Sequence, residues 1–452
     1  MKPTPFATVR TWLPQHNLLY HNKHQHDATI CGVAIDSRRV TRGDLFFAIP
    51  GQRTDGHAHL AEVAARGGVA ACVRTDYVGE THGLHLVHVP DVVEALQQMA
   101  HIFLCQHRVR TIAITGSMGK TTVKEYAKTF LSGCYRVVAS PLSYNSQLTV
   151  PISIFGIDDT TEILLLEMGM SAPGHLAKLV AMAPPDLALL TTVTWQHADA
   201  FPDGLEGIAR EKGAIFSHPT TRLGIYASHM PYADVVHQQG ACHKETFSLS
   251  APQADYVGHR TGSLLSICER GGEPYACDVS HLPQAYDHNV LAAVALARAC
   301  GVPWSVLQHA STTLRPPPMR FELVQKRGVT FVNDAYNANP EAMMAALRSL
   351  PQPLQQGRTL AVLSEMNALG RYSDEGHCLV AQMALRHVDI LLCIGERCRS
   401  METLWRAAHK PCVRFETKQA LICAVQEMVR VGDVVLLKGA RAYALEEVLH
   451  AF

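Results

Sequence analysis

The stretch T-I-A-I-T-G-S-M-G-K-T-T, residues 111–122, decides the fold. An apolar, β-branched run reads as a buried strand that delivers the chain to Thr115, and a helix is expected to begin near Lys120. Between them, Gly116 and Gly119 let the backbone turn tightly, so that successive N–H groups can face one phosphate. The helix N-terminus adds partial positive charge to the same spot. Lys120 can reach the outer phosphates of a nucleotide, and the Thr121 hydroxyl is placed for Mg²⁺. Thr115, Gly116, Ser117, Met118, Gly119, Lys120, Thr121 and Thr122 are therefore the expected ATP-binding loop. Ile114 stands where the commoner G-x-x-x-x-G-K-[ST] pattern has its first glycine, which leaves the shorter T-G-x-x-G-K-T form.

Outward from this loop the chain alternates buried strands with helices. Strands are expected at 163–167 (I-L-L-L-E) and 187–193 (L-A-L-L-T-T-V), with a helix at 288–300 after more variable, strand-like sequence. This alternation is the pattern of a mostly parallel sheet covered by helices on both faces. The proline run 316–318 cannot continue a helix and marks a boundary. Beyond it, strands at 329–334, 359–363, 389–394 and 433–438 with helices between them form a further α/β unit. Before the loop lie a strand at 44–49, a helix at 58–66, a strand at 68–73 and a helix at 92–106. The expected architecture is α/β in three domains. These are a small N-terminal α/β domain (1–106), a central P-loop domain (107–316) and a C-terminal Rossmann-like domain (317–452).

Composition narrows the function classes. With 40 basic and 40 acidic residues the formal charge is +0, so no long-range field gathers polyanions and nucleic acid is disfavoured as a partner. Phosphate recognition must come from local groups. No apolar run approaches the roughly 20 residues of a membrane span, and the first ten residues lack the apolar core of a signal peptide. A cytoplasmic monomer is the expectation. The 13 cysteines contain no C-x-x-C pair and read as reduced thiols packed as small apolar residues. Among the 25 histidines, the clusters His21/His24/His26 and His82/His85/His88 lack companion cysteines or carboxylates. They read as exposed or individually hydrogen-bonded imidazoles rather than metal sites.

Several further motifs carry a resemblance. They are D-S-R-R-V-T-R-G-D-L-F-F-A-I-P-G (36–51), D-G-H (55–57), V-K-E (123–125), E-M-G-M-S-A-P-G-H-L (167–176) and Q-H-A-D-A-F (196–201). G-I-A-R-E-K-G-A-I-F (207–216), H-N (288–289), M-R-F-E (319–322), N-D-A-Y-N-A-N-P (333–340) and K-G-A-R (438–441) complete the set. Over essentially its whole length the chain resembles the Mur ligases. Y-N-A-N-P resembles the branch that joins D-Ala-D-Ala to UDP-MurNAc-tripeptide for peptidoglycan synthesis, and the D-N-P-R motif of diamino-acid-adding relatives is absent. The resemblance implies ATP and Mg²⁺ as cofactors. It also implies an acyl phosphate, formed when the peptide carboxylate attacks the γ-phosphate and consumed when the dipeptide amine attacks in turn. Both steps bring negative groups together, so cations and directed donors must do much of the catalytic work.

The same resemblance assigns roles. Lys120, His197 and Lys212 form the catalytic set; Thr121, Glu167, His197 and a carbamoylated Lys212 are the Mg²⁺ ligands. Asn289 contacts adenine, Arg320 the phosphates and Asp334 the ribose, the last two reaching across an interdomain cleft that closes on ATP. Ser37, Arg38 and Asp55 are candidates for the uridine nucleotide, Asn145 for a substrate contact, and Asn337 and Asn339 for the dipeptide. Taken alone, Glu167 is equally a strand-end carboxylate and Lys212 a solvated helix residue. The chain departs from the usual N-N-E-x-G-x-P at 145–151, where Gln147 replaces a glutamate and Thr149 a glycine. Gln147 keeps an acceptor but loses the charge, and Thr149 gives up easy access to positive φ. Ser364-Glu365-Met366 likewise stands for G-D-M. The competing readings are a Mur-type ligase that adds a single amino acid and a non-catalytic ATP-binding switch.

Overall fold

The computed structural model describes residues 1–13, 28–51, 54–354 and 356–452. Three large sheets organise them, beside a two-stranded antiparallel pair of Thr4–Pro5 and Thr29–Ile30. In the first, Gly32–Ala34, Asp44–Phe47, Ala70–Arg74 and His85–Val89 lie side by side, all parallel. The second has nine strands. From Val137–Ala139 it runs through Ile163–Glu167, Arg110–Thr115, Leu187–Leu190, Leu223–Ala227 and His243–Ser248 in parallel register, and Tyr256–Thr261 continues it. An antiparallel ribbon, Leu264–Glu269 and Pro274–Asp278, finishes that edge. The third sheet is parallel in Val329–Asp334, Val434–Lys438, Thr359–Ser364, Ile390–Ile394 and Cys412–Phe415, with antiparallel Glu322–Lys326 at its border.

The strands that face helices on both sides are continuous apolar runs. Ile163–Glu167 is buried along its whole length, as are Leu187–Leu190 and Val434–Lys438. Helix Val92–Cys105 joins the first sheet to the second. Asp91 caps it by accepting from Val93 and Glu94 N–H groups at 2.8 and 2.9 Å, and it buries Val92, Leu96, Met99 and Phe103.

Several expected elements are displaced, each for a local reason. The strand expected over 187–193 stops at Leu190. There the chain leaves the ladder to buttress the phosphate loop: Ser117 N–H donates to Thr192 O at 2.8 Å, and Thr191 N–H to Thr115 O at 2.9 Å. The helix expected at 58–66 is a 3₁₀ turn, Gly56–His59, followed by Leu60–Ala65. His85 and His88 are buried in the first sheet rather than exposed, with the His85 ring 5.4 Å from Phe6. His85 Nδ1 has no hydrogen-bond partner among the described residues, so this imidazole acts as a core side chain. His21, His24 and His26 lie outside the described residues. All 13 cysteines are free, and no helix among the described residues is long and apolar enough to cross a membrane.

Candidate active site

Arg110–Thr115 ends at the phosphate loop, and helix Lys120–Leu131 starts from Gly119, which sits at φ +80°. Gly116 adopts φ +144°, and a Cβ there would lie 1.9 Å from Thr191 Oγ. Gly116→Ala therefore cannot be accommodated without moving the 191–194 buttress. We expect it to destabilise the chain by about 2 kcal/mol or more and to weaken ATP binding at least about tenfold. Denaturant unfolding and calorimetric titration measure the two effects.

Hard oxygen donors collect at the mouth of the loop. Thr121 Oγ donates to Glu167 Oε2 at 2.8 Å, and Asn145 Nδ2 donates to Glu167 Oε1 at 2.7 Å. Glu167 is 1% exposed, which settles it as a buried carboxylate rather than a solvated strand end. No group of three His, Cys, Asp or Glu side chains that could hold a metal occurs among the described residues. One carboxylate beside a hydroxyl instead suits Mg²⁺, which is held by one or two carboxylates and completes its shell with phosphate and water.

Around this centre stand nitrogen groups. Lys120 Nζ donates to Gly116 O at 2.7 Å, and its pKa is depressed by burial and by the Arg320 charge, against the pull of Glu167. Lys212, on helix Gly204–Gly213, is 1% exposed. Burial, and then the Lys120 charge, hold its amine well below the usual lysine range. Lys212 is therefore buried and inclined to neutrality, not a solvated helix residue. His197, at φ +61°, is pushed down to about 4 by burial and then by the Lys212 and Lys120 charges. His288 is also pushed down to about 4 by burial, while its Nε2 lies 3.2 Å from Thr191 O.

These histidines give a pH dependence with a definite sign. Below an ordinary value of 6.5 the unfolded chain binds two protons that the native chain refuses until about pH 4. Stability is thus full above pH 6.5 and falls as the pH drops to 4, by about 3 kcal/mol for each histidine. Denaturant unfolding in bicarbonate-free buffer at pH 7 and pH 4 checks this. His197→Gln should remove its own share of the loss, about 3 kcal/mol.

The third sheet's unit closes the cleft. Arg320 Nη2 lies 3.2 Å from Thr121 Oγ and 3.4 Å from Ser143 Oγ, and its guanidinium stacks 3.9 Å over Tyr336. Met319 and Phe321, on either side, both have positive φ, and the Tyr286 hydroxyl donates to Arg320 O. Trp195 and Tyr372 meet across the cleft at 4.0 Å, and Arg371 donates to Pro202 O at 3.1 Å. Asn289, Arg320, Asp334, Asn337 and Asn339 line one cavity with Ser117 and Gly119. Asp334 Oδ2 accepts from buried Lys438 at 2.6 Å, and Asn339 Oδ1 caps helix Pro340–Arg348.

A second cavity of about 400 Å³ lies on the other side of Lys120, lined by Asn145, Gln147 and His197 among others. A third, of about 850 Å³, lies between the first sheet and the central unit. Ser37 and Arg38 line it but are held by neighbours: Ser37 Oγ donates to Glu62 at 2.7 Å, and Arg38 Nη2 pairs with Asp36 at 2.8 Å. Asp55 does not line it; its carboxylate accepts from His57 N–H at 3.0 Å. Thr149 does line it, and it opens helix Thr149–Ile154, so no positive φ is needed there.

Sequence reasoning missed Ser143 and Tyr144, and it assigned no role to Lys438 or Glu211 within the motifs that contain them. Glu211 sets Lys212 in place by accepting from Gly174 and Leu176 N–H groups, each at 2.8 Å. Its position beside Lys212 in R-E-K-G was the only signal.

The Mur ligase middle domain model matches residues 114–297, the Mur ligase glutamate ligase domain model 319–441, and the Mur ligase family catalytic domain model 29–104. The UDP-N-acetylmuramoyl-tripeptide–D-alanyl-D-alanine ligase of Treponema pallidum is 32% identical over 92% of each chain. MurF from Acinetobacter baumannii superposes with a TM-score of 0.86 at 23% identity, covering 100% of this chain and 98% of that one. MurF ligase from Thermotoga maritima, in complex with ADP, gives 0.76 at 26% identity over 93% and 96%.

Proposed function

The chain belongs to the Mur ligase family, and we propose that it uses ATP to join D-Ala-D-Ala to UDP-MurNAc-tripeptide, with ADP and phosphate as the other products. The observation that carries this reading is the convergence of Lys120, Thr121, Glu167 and Arg320 where the nucleotide cleft meets the 400 Å³ cavity.

The roles follow from what each group can do. Residues at the edge of the first sheet, with Pro141, Tyr144, Thr149 and Ile152, take the uridine end of the substrate, leaving the peptide carboxylate to reach the cavity beside Lys120 and His197. One carboxylate oxygen attacks the γ-phosphorus; its bond to the bridging oxygen breaks, and ADP leaves. The dipeptide amine then attacks the acyl carbon, the carbon–oxygen bond to phosphate breaks, and the amine gives up a proton. Loop N–H groups, Lys120 and Arg320 face the charge that accumulates on the transferring phosphoryl group. Mg²⁺ held by Thr121 and Glu167 would neutralise phosphate charge and supply a Lewis acid. Asn289 and Asp334 face the nucleoside, and Asn337 and Asn339 face the dipeptide side of the same cleft. Lys212 is the modification site: an amine held below its usual pKa is the form that adds CO₂ to become a carbamate. The substrates are cytosolic metabolites, and a cytoplasmic monomer fits them.

The test is phosphate release with ATP, UDP-MurNAc-tripeptide and D-Ala-D-Ala, with the amide product identified by mass spectrometry. Release should require all three. Turnover with a single amino acid in place of the dipeptide, or no amide with any D,D-dipeptide, overturns the reading.

A further inference from the structure

Lys124 lies one turn into the phosphate-loop helix and is fully buried, yet nothing in the chemistry above uses it. Its ammonium donates to Ser140 O at 2.5 Å and to Leu142 O, and pairs with Glu125 at 2.9 Å. Both carbonyls belong to the short connection after strand Val137–Ala139. A buried ammonium is costly unless its donors are satisfied, so three partners on Nζ make this a built contact.

What the connection carries gives the contact its meaning. Ser140 Oγ accepts from Glu167 N–H at 3.1 Å. Ser143 Oγ lies 3.0 Å from Thr121 Oγ, and Asn145 holds Glu167 Oε1. Between Ser143 and Asn145, Tyr144 points the other way: its hydroxyl accepts from Arg39 in the wall of the 850 Å³ cavity. The connection 140–145 thus touches the metal-and-phosphate centre through Ser140, Ser143 and Asn145, and the cavity assigned to the uridine nucleotide through Pro141 and Tyr144. Leu142 sits in the middle at φ +49°, 69% exposed. A leucine disfavours that left-handed conformation, and no apolar packing holds it there. What does reach it is the Lys124 ammonium, bonded to the Leu142 carbonyl.

We propose that Lys124 is a positioning residue that holds the 140–145 connection in its left-handed form and thereby couples the uridine-nucleotide cavity to the metal-and-phosphate centre. The uridine half rests on the function proposed above.

The test is a double-mutant cycle read by binding, using the full chain. Lys124→Met should weaken both the Mg²⁺ complex of a non-hydrolysable ATP analogue and UDP-MurNAc-tripeptide, each about tenfold by calorimetry. Leu142→Gly alone should leave both within about twofold, because glycine adopts the required φ freely. Combined, the two substitutions should recover most of the loss, since the backbone no longer needs to be held. A lysine that merely fills space would show no such recovery. A double variant no tighter than Lys124→Met overturns the proposal, as does Lys124→Met that weakens neither ligand or only one. If Lys124→Met does not fold, Lys124→Gln, which can satisfy one carbonyl, carries the same cycle. A wild-type chain that fails to bind the uridine nucleotide counts against the proposed function; the ATP arm then decides the role of Lys124 alone.

Discussion

Lys120→Ala is expected to lower kcat by about 10³-fold or more while leaving the fold intact. The lysine begins a helix whose loop is held by backbone contacts from Thr191 and Thr192, with its own side chain adding one bond to Gly116 O. Its ammonium is half-buried next to Glu167 and Arg320, where reduced exposure to water strengthens its action on phosphate. In the first step charge moves from the peptide carboxylate toward the γ-phosphate, and this cation is placed to meet it. The loss should fall mainly on kcat, with a smaller change in the KM for ATP, because the loop amides still bind the ground state. An independent readout comes from its neighbours. The Lys120 charge lowers the pKa of both Lys212 and His197, so both should titrate at higher pH in the variant. Turnover near that of the wild type, or an unmoved His197 titration followed by NMR, contradicts the assignment.

The loop itself was readable from sequence because its function is a backbone property. Two glycines, a strand before and a helix after are sufficient to aim N–H groups, and each leaves a mark in the sequence. Glu167 was readable as to type and place, but its burial was not, since a strand-end carboxylate looks the same whether it faces water or Thr121. Lys212 shows the reverse weakness. Flanked by Glu211 and Gly213 it reads as a surface residue, and only the packing of its helix against the 174–176 turn puts it inside.

The departure at 145–151 points to a different residue from the one the structure strains. Loss of a glycine at 149 suggests backbone trouble there, yet Thr149 is helical and the left-handed residue is Leu142. Leucine carries no sequence mark of positive φ, because the conformation is imposed by a lysine eighteen residues earlier. The candidate uridine contacts show a related limit of sequence reading. Ser37, Arg38 and Asp55 are polar residues in a loop, but Glu62, Asp36 and His57 already engage them. Sequence shows which groups can bind a ligand; it does not show which have been taken by a neighbour.

Lys212 supplies the other large expected effect. A buried lysine and a half-buried one that repel each other are an unfavourable arrangement in a resting protein, and here Glu167 acts on Lys120 while Glu211 acts on Lys212. A carbamate resolves the conflict, because it replaces the second cation with an oxygen anion facing Lys120 and His197. Lys212→Met should abolish most turnover, by about 10²-fold or more, since it can neither add CO₂ nor present oxygen to a metal. Yet it should not lower stability, because it removes a buried amine and keeps the volume. Lys212→Arg should lose activity and stability together: guanidinium stays charged and cannot escape Lys120 by losing its proton. Wild-type activity should rise with added bicarbonate after exhaustive degassing, and the intact mass should show one added CO₂. The His197 titration discriminates further. An unmodified Lys212 lowers the histidine's pKa, so its replacement by an anion must raise it. An unmodified amine under bicarbonate, together with an unchanged His197 titration, would return Lys212 to the role of a neutral packing residue.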